Sequence, residues 1–342
     1  MKIALNGYGR VGRSFIRALV EREASGWTAP FAVVAINDLG TAEDLHYLTK
    51  YDTAHGVFLE QVELINGRLR IGNHAPQLLH EKDPSRLPWK QLGVDLVLEC
   101  TGEFRSHKNA SQHLLAGAER VMIGAVPFDH ADALMVWGVN HEALQDSDRV
   151  LSATSCTTQC ITPLLALLDR EYGVEQVLMK EVHAYTSDQS LLDHVHRDPR
   201  RGRAAAQNIV PTTSSAIGAV QKVLPQLAGR ISGDSIRVPT LNVAMVDLTL
   251  ALRRTPTVAQ INQLFADAAD NNPELFGYNT EQLVSSDFNH RPESAIYDAT
   301  QTRIQGDLVH IVAWYDNEWG YANRLLDLVD WLAHNNHTST DS

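Results

Sequence analysis

The chain has 342 residues, of which 44% are hydrophobic, and its formal net charge at neutral pH is −12. This length and composition allow a large core and favour two domains over one. The negative charge argues against sequence-independent binding of nucleic acid, which needs a basic surface, but a few local arginines can still attract small anionic substrates.

The ends of the chain carry no membrane signal. Residues 1–20 contain three arginines and lack an uninterrupted apolar core, so we expect neither a signal peptide nor a membrane span there. Three cysteines without a secretory signal predict a reducing, cytoplasmic setting. The polar residues 334–342 are expected to be frayed.

The chain opens with a pattern of strand, glycine turn and helix. Residues 1–5 predict a buried strand, and residues 13–23 have helical spacing. Between them lie Gly7, Gly9 and Gly12, which suit a tight turn, close approach of the backbone to a pyrophosphate, and close packing of helix on strand. The pattern indicates a dinucleotide-binding turn.

A second strand, residues 31–36, ends in Asn37 and Asp38. An acidic side chain at this point can bond both ribose hydroxyls of the adenosine half of a dinucleotide. The alternative is that Asp38 only caps the helix predicted at 42–51. In the first interpretation a carboxylate would repel a 2′-phosphate, so the sequence predicts NAD as the cofactor.

Strands and helices continue to alternate up to about residue 150, which predicts an α/β domain with a parallel sheet. The strand at 94–98 runs into Thr101 and Gly102, at the carboxyl edge of the sheet where ligands bind. The other elements expected here are a hairpin at 62–71 around Asn66 and Gly67, a helix at 107–116, and strands at 120–123 and 133–139.

A polar run at residues 152–160 contains Cys156 and Cys160 and is followed by an apolar run at 161–168. Serine and threonine are good N-cap residues, so this pattern predicts the start of a buried helix. A thiol in the first turn would face unpaired backbone N–H groups and the positive end of the helix dipole, which favour the thiolate. Cys156 is thus a candidate nucleophile; the alternative is a small buried hydrophobic residue.

The second half of the chain mixes its elements. A long polar segment, residues 186–207, carries Arg197, Arg200, Arg201 and Arg203. The pattern predicts an α+β domain with a mostly antiparallel sheet. Its elements are strands expected at 177–183, 235–238, 244–252 and 309–315, and helices at 258–270 and 321–333.

Several blocks in order resemble the phosphorylating glyceraldehyde-3-phosphate dehydrogenases and the related erythrose-4-phosphate dehydrogenases. The blocks are residues 6–12, 155–158, 200–208, 237–240 and 314–321. The resemblance implies a Rossmann-type NAD-binding domain over residues 1–155, with a helix at 319–335 packing back onto it. It also implies an α+β catalytic domain over 156–318 and a homotetramer. The polar segment has too few anchors to be stable alone, so we predict that it packs between subunits.

The resemblance implies a thioester mechanism. Cys156 would attack an aldehyde, and His183 would stabilise the thiolate and then take the hemithioacetal proton as hydride leaves for NAD. Inorganic phosphate would release the acyl group, and no metal is expected. Thr186, Asp188 and Arg237 would bind the substrate phosphate. Ser155, Thr157, Arg201, Ser214 and Ser215 complete the substrate- and phosphate-binding residues that the resemblance implies.

The cofactor residues follow from the same resemblance. Asn317 would bond the nicotinamide carboxamide with Tyr321 beside it, and Thr101 and Phe104 would flank the adenine. The implied set is completed by Gly7, Gly9, Arg10, Val11, Gly12, Asn37 and Asp38.

Three other functions remain open. Blocks at 87–95 and 294–298 are closer to the erythrose-4-phosphate branch, whereas the substrate-loop residues 185–186 and 211–213 favour glyceraldehyde 3-phosphate. An aspartate-semialdehyde dehydrogenase and a non-catalytic NAD-binding protein are the others. Ala153, Gln159 and Ser215 replace residues usual in the family, so the loops around Cys156 and the phosphate site are expected to differ from those of relatives.

Overall fold

The computed structural model describes residues 1–335, and residues 336–342, most of the end expected to be frayed, lie outside this range. The chain divides into two compact units. The first comprises Met1–Thr154 and the chain from Ala322 onward, and the second comprises Ser155–Tyr321.

The first unit is built on a seven-stranded sheet whose pairs are all parallel. The strands of this unit, with two small hairpins, are β1 (Lys2–Asn6), β2 (Ala32–Asn37), β3 (Tyr51–Asp52), β4 (Gly56–Val57), β5 (Val62–Ile65), β6 (Arg68–Ile71), β7 (Gln77–Leu79), β8 (Leu96–Glu99), β9 (Arg120–Ile123), β10 (Ala133–Leu134) and β11 (Val150–Ser152). The strands of the sheet lie in the order β10-β11-β9-β8-β1-β2-β7.

The helices between these strands include the predicted one after the glycine turn. They are α1 (Arg10–Ala24), α2 (Ala42–Lys50), α3 (Trp89–Leu92), α4 (His107–Ala110) and α5 (Gln112–Leu115), with short 3-10 turns at Pro84–Arg86 and His141–Ala143. The N-terminus of α2 is capped by Thr41, whose hydroxyl accepts a hydrogen bond from the backbone N–H of Asp44 at 3.1 Å. Asp38 is therefore not the cap of this helix.

Two predicted elements of this unit are shorter than expected. The helix predicted at 107–116 is divided at Ser111 into α4 and α5, and the Ser111 hydroxyl donates to the carbonyl oxygen of His107 at 2.7 Å. The strand predicted at 133–139 ends at Leu134. There the Asn140 side chain donates a hydrogen bond to the Leu134 carbonyl and accepts one from the Val136 N–H. These backbone groups are then not available for pairing with a neighbouring strand.

The order of the strands reverses at β1, which lies between β2 and β8. The turn after β1 therefore lies at the topological switch point, where ligands bind in doubly wound sheets. Gly7 in this turn has φ +92, and a Cβ there would meet the backbone nitrogen of Thr101, which follows β8, at 2.7 Å. Only glycine allows this close approach.

The second unit contains an eight-stranded sheet in the order β13-β14-β12-β15-β19-β17-β16, with β18 beside β19. The helices are α6 (Cys156–Tyr172), α7 (Ala216–Val223), α8 (Val258–Asn271) and α9 (Trp319–Asn335), of which α9 continues into the first unit. The strands are β12 (Val174–Ala184), β13 (Val210–Thr212), β14 (Ile231–Val238), β15 (Ala244–Leu252), β16 (Phe276–Asn279), β17 (Ala295–Asp298), β18 (Arg303–Gln305) and β19 (Leu308–Tyr315), and 3-10 turns lie at Pro225–Leu227, Ser285–Phe288 and Ala299–Gln301.

Most pairs of this second sheet are antiparallel, and the parallel exceptions are β12 with β14 and β16 with β17. The predicted fold class, a Rossmann-type domain and an α+β domain, is confirmed. The parallel pairing of β12 and β14 places His183 opposite Arg237. Within residues 1–335, the helices are all too short or too polar to cross a membrane.

Candidate active site

Cys156 is the first residue of α6, as the sequence predicts. Ser155 is the N-cap, and its hydroxyl accepts a hydrogen bond from the backbone N–H of Thr158 at 3.1 Å. The backbone just before the cap is strained, because Thr154 is a β-branched residue with φ +58. The cap and the apolar face of α6 hold the Cys156 thiol at the end of the helix.

His183, near the end of β12, is buried and faces Cys156. Its Nε2 lies 3.5 Å from the Cys156 Sγ, and its Nδ1 lies 2.7 Å from the carbonyl oxygen of Ala184. A carbonyl only accepts hydrogen bonds, so this 2.7 Å contact assigns the proton of the neutral imidazole to Nδ1; the competing donor near Nδ1, Nη1 of Arg237 at 3.0 Å, has the same carbonyl as its acceptor at 3.2 Å. Nε2 therefore keeps a lone pair directed toward the thiol, which makes His183 a candidate general base.

Arg237 approaches His183 from the neighbouring strand. Its Nη1 donates to the Ala184 carbonyl at 3.2 Å and lies 3.0 Å from Nδ1 of His183. Its Nε is buried and has no hydrogen-bond partner among the described residues. A buried guanidinium N–H without a partner is a ready donor for an anion.

Burial acts against the ion pair of Cys156 and His183 that the sequence predicts. With a further contribution from the Glu181 charge, it raises the pKa of the Cys156 thiol to about 12. Burial and the charge of Arg237 lower the pKa of His183. Desolvation therefore opposes the thiolate that the helix terminus favours.

Three residues that the sequence analysis did not single out as a group form a buried hydrogen-bonded chain beside Cys156. The Thr157 hydroxyl donates to Oε1 of Glu181 at 2.6 Å and lies 2.9 Å from the hydroxyl of Tyr315. Thr157 was expected by resemblance, but Glu181 and Tyr315 were missed. Glu181 could have been found, because it is an acidic residue on the inward face of an alternating strand, two positions before His183.

The other basic residue of the predicted site, Arg201, is engaged within the polar segment. It donates to Asp188 at 2.5 Å, to the Thr212 hydroxyl at 2.9 Å and to the Thr213 carbonyl at 3.0 Å. The resemblance assigned Asp188 and Arg201 to different phosphates, whereas here they form an ion pair. Opposite charges on one loop pair with each other when no anion lies between them.

The remaining expected anion-site residues lie on nearby turns of the same unit. The backbone carbonyl of Thr186 accepts from Gln189, which forms a tight turn directly after β12. Ser214 is close enough to Glu181 for its hydroxyl to lower the pKa of that carboxyl. Ser215, the residue that replaces a glycine, is exposed and occupies the N-cap position of α7 without bonding the helix through its side chain.

The glycine turn in the first unit has the geometry of a phosphate cradle. Gly9 is the N-cap of α1 and supplies no side-chain cap, so the helix N-terminus is open to an anion. A Cβ at Gly9 would have no neighbour within 4 Å, whereas one at Gly12 would meet the Gly7 carbonyl oxygen at 2.4 Å. These residues fit the pyrophosphate of NAD.

The acidic residue after β2 faces this turn. Asp38 accepts hydrogen bonds from the backbone N–H groups of Tyr8 at 2.7 Å and Gly40 at 2.9 Å. Asn37, by contrast, is buried and donates to Asn6 and to the Glu81 carbonyl, which indicates a structural role for its side chain. Arg10 forms an ion pair with Asp52, and Val11 is half-buried at the start of α1.

Thr101 and Phe104 lie at the carboxyl end of β8, around a buried polar cluster. The Thr101 N–H and hydroxyl both donate to the Glu99 carboxylate, which also accepts from Asn6. His113 contacts the same carboxylate at 3.2 Å, and the Phe104 ring lies edge-on to His113. This cluster holds the chain after β8 against the glycine turn.

Two further expected cofactor residues lie in the second unit, after β19. Asn317 is buried, and its side-chain Oδ1 has no hydrogen-bond partner among the described residues. Tyr321 is buried in the first turn of α9. A buried amide oxygen with an unused acceptor is suited to receive an N–H from a ligand.

Comparisons with known proteins agree with this geometry. Residues 1–107 match the family model described as the NAD binding domain of glyceraldehyde 3-phosphate dehydrogenase. Residues 155–317 match the model of the C-terminal domain of the same family. The predictions of the family and of NAD as the cofactor are confirmed.

Curated relatives are similar over nearly their full length. A "Glyceraldehyde-3-phosphate dehydrogenase" of Pseudomonas aeruginosa is 47% identical over 327 residues, which cover 96% of each chain. The plasmid-encoded glyceraldehyde-3-phosphate dehydrogenase of Cupriavidus necator is 46% identical, covering 98% of this chain and 99% of its own. One from Xanthobacter flavus is 44% identical, over 96% of this chain and 97% of its own.

Proposed function

Because the chain belongs to the glyceraldehyde 3-phosphate dehydrogenase family, we propose that it oxidises glyceraldehyde 3-phosphate with NAD and inorganic phosphate to 1,3-bisphosphoglycerate. The observation that carries the proposal is the 3.5 Å contact between the Cys156 thiol and Nε2 of His183. A nucleophile with a general base in reach is the requirement for thioester chemistry.

In the proposed mechanism, Nε2 of His183 accepts and returns protons in successive steps. As Sγ of Cys156 attacks the aldehyde carbon, Nε2 takes the thiol proton and passes it to the developing oxyanion, which yields a hemithioacetal. NAD, when bound, supplies the acceptor for the hydride of that carbon. Nε2 then takes the hydroxyl proton, and a thioester remains. A phosphate oxygen attacks the thioester carbon, the C–S bond breaks, and Sγ recovers a proton from His183.

Two arginines would hold the two phosphates. Arg237, with a buried Nε that lacks a partner, would bind the substrate phosphate together with Thr186 and Asp188. Arg201 would bind inorganic phosphate once its pair with Asp188 opens. The residues that assist it in this proposal are Ser155, Thr157, Ser214 and Ser215.

The cofactor would be held mainly by the first unit. The open N-terminus of α1 and the space beside Gly9 support a pyrophosphate there, and Asp38 supports the ribose. The unpartnered Oδ1 of Asn317 supports a hydrogen bond from the nicotinamide carboxamide. The proposal keeps Thr101 and Phe104 beside the adenine and Tyr321 beside Asn317.

The proposed partners are these small molecules and further copies of the chain. A net charge of −12 gives no support to nucleic-acid or anionic-membrane binding. All three cysteines are free thiols, which supports a reducing, cytoplasmic setting. Exposed apolar side chains in the polar segment support its packing in a homotetramer, which is tested below.

The test is a steady-state assay of NADH formation with glyceraldehyde 3-phosphate and erythrose 4-phosphate, each with and without inorganic phosphate and with NAD or NADP. We expect the triose phosphate with NAD and phosphate to give the highest kcat/KM. Cys156→Ser should reduce kcat by a factor of about 1000 or more. Faster turnover of erythrose 4-phosphate without phosphate would reject the substrate assignment, and full activity of the serine variant would reject the mechanism.

A further inference from the structure

Glu181 is a buried carboxyl group in the proposed active site to which the mechanism above assigns no role. It is only 2% exposed, and it precedes His183 by two residues on β12, so both side chains lie on one face of the sheet. Oε1 accepts the hydrogen bond of Thr157. Oε2 is buried and accepts no hydrogen bond of normal geometry from the described residues. A carboxylate in this state requires a compensating positive charge.

The charges around His183 define what Glu181 faces. Arg237 on β14 lies against Nδ1, and Arg201 in the polar segment adds a second positive charge; both oppose protonation of the ring. Cys156 on α6 faces Nε2, and the uncharged Tyr315 on β19 meets the ring edge-on. The Glu181 Oε1 lies 3.9 Å from Nε2 and is the negative group on this side of the ring.

We propose that Glu181 is a positioning residue that supplies the counter-charge for His183, so that the imidazole can accept a proton beside Arg237. The inference rests on the proposed function, in which Nε2 takes first the thiol proton and then the hemithioacetal proton. In each step Nε2 becomes N–H, and the positive charge formed lies between Arg237 and Glu181. Without the carboxylate, the fixed charges that act on the ring, Arg237 and Arg201, would both be positive.

The carboxylate is ionised when this charge forms. Burial alone raises the pKa of Glu181, but the charges of His183 and Arg237 and the hydroxyls of Thr157 and Ser214 outweigh burial and lower it. Thr157 is itself held by the hydroxyl of Tyr315. Glu181 is therefore a fixed negative charge at neutral pH and does not need to exchange protons with substrate.

The same charge acts on the two reacting groups with opposite consequences. It favours a protonated His183, which helps the proton transfers, and it disfavours a thiolate at Cys156. Removing the charge should therefore weaken His183 as a base and make the free thiol easier to ionise. A variant that merely loosened the site would not produce this pair of changes.

The first experiment compares Glu181→Gln with wild type in the pH dependence of kcat and of the pre-steady-state burst of NADH. Glutamine keeps the size and an acceptor for Thr157 but removes the charge. Because His183 becomes a weaker base, we expect the acidic limb of the pH profile of kcat to move to lower pH by about one unit. The plateau rate of the same profile should fall about threefold to tenfold. Glu175→Gln, which removes an exposed charge from the same strand, is the matched control and should change neither.

The second experiment needs no aldehyde, so its outcome is independent of the proposed function. The rate of Cys156 alkylation by iodoacetamide at neutral pH should rise about threefold in Glu181→Gln, because a lower thiol pKa outweighs the lower nucleophilicity of the thiolate. In NMR spectra of the full chain labelled at histidine, the His183 pKa should fall in the same variant. Glu181→Asp, which retains the charge, should stay near wild type in both measurements.

These results separate the inference from its alternatives. The carboxylate would have no electrostatic role if a folded Glu181→Gln variant kept the wild-type acidic limb of the pH profile, the wild-type alkylation rate and the wild-type His183 pKa. Slower alkylation, or equal losses in the glutamine and aspartate variants, would show that Glu181 acts only in packing. If wild type oxidises no phosphorylated aldehyde but the alkylation and NMR shifts appear, the proposed function fails and the Glu181–His183 coupling stands.

Discussion

For single residues, the geometry of the proposed active site depends on the pairing register of β12 and β14. Parallel pairing of β12 with β14 sets His183 against Arg237, and the alternation of β12 sets Glu181 on the same face as His183. A base between a positive and a negative group has a basicity that depends on the balance of the two. This balance predicts opposite effects for variants of the two neighbours.

Arg237→Gln is expected to move the acidic limb of the kcat profile to higher pH, by about one unit, because a positive charge that opposes protonation of His183 is lost. The KM for the phosphorylated aldehyde should rise about tenfold or more, since the guanidinium is the proposed phosphate donor. The measurement is the pH profile at saturating substrate. Arg200→Gln, in the exposed part of the segment, is the control and should leave the profile unchanged. If the acidic limb of the kcat profile did not move in Arg237→Gln, the basicity of His183 would not depend on the charge of Arg237.

At the scale of elements, the turn between β1 and α1 shows that the three glycines of the motif have different physical roles. Gly7 and Gly12 allow contacts between backbone segments, at the switch point of the sheet and between the helix and the turn. Gly9 has an ordinary φ of −74 and open space beside it. Gly7 and Gly12 are therefore needed to form the fold, and Gly9 leaves room for a ligand.

A pair of alanine variants tests this division. Gly12→Ala should lower the free energy of unfolding by about 2 kcal/mol, because its Cβ would lie 2.4 Å from the Gly7 carbonyl oxygen and the backbone must shift. Gly9→Ala should leave unfolding of the ligand-free chain within about 0.5 kcal/mol of wild type but weaken NAD binding about tenfold. Denaturant unfolding and calorimetric NAD titration measure the two effects. Equal stability losses in both variants would contradict the assignment.

At the scale of the whole molecule, the long polar segment has features of a surface that is covered. Its arginines are partly neutralised within the segment, by Asp188 and Asp193, while several of its apolar side chains remain exposed. Val195 is 92% exposed, and Leu191 and Leu192 are 77% and 75% exposed. Solvated loops rarely display so many apolar groups together, so burial between copies is the favoured explanation.

Light scattering coupled to gel filtration should give a mass about four times the 37.9 kDa of one chain. Val195→Asp should reduce this mass, because a charge in a subunit contact is costly to bury. Leu115→Asp, at an exposed site of the first unit, is the comparison variant. A wild-type protein of single-chain mass across micromolar concentrations would contradict the tetramer.

Local sequence patterns were enough to predict the elements that depend on them. The strand, glycine turn and helix at the start, the hairpin at Asn66 and Gly67, and the capped helix beginning at Cys156 follow from dihedral preferences and periodicity. The family resemblance singled out Cys156, His183 and Arg237 and predicted NAD, because those residues lie in contiguous blocks. Where a side chain competes with the backbone, as at Asn140, the predicted strand was too long.

The contacts between distant side chains depend on the packing of the folded chain. Glu181 carries no motif, and its role arises from strand alternation, burial and the helix start that brings Thr157 to it. Burial also opposes the ion pair of Cys156 and His183 that the sequence predicts, and the sequence does not show this effect because desolvation depends on everything packed around a group. Spacing along the chain identifies the reactive groups, and three-dimensional packing sets their charge.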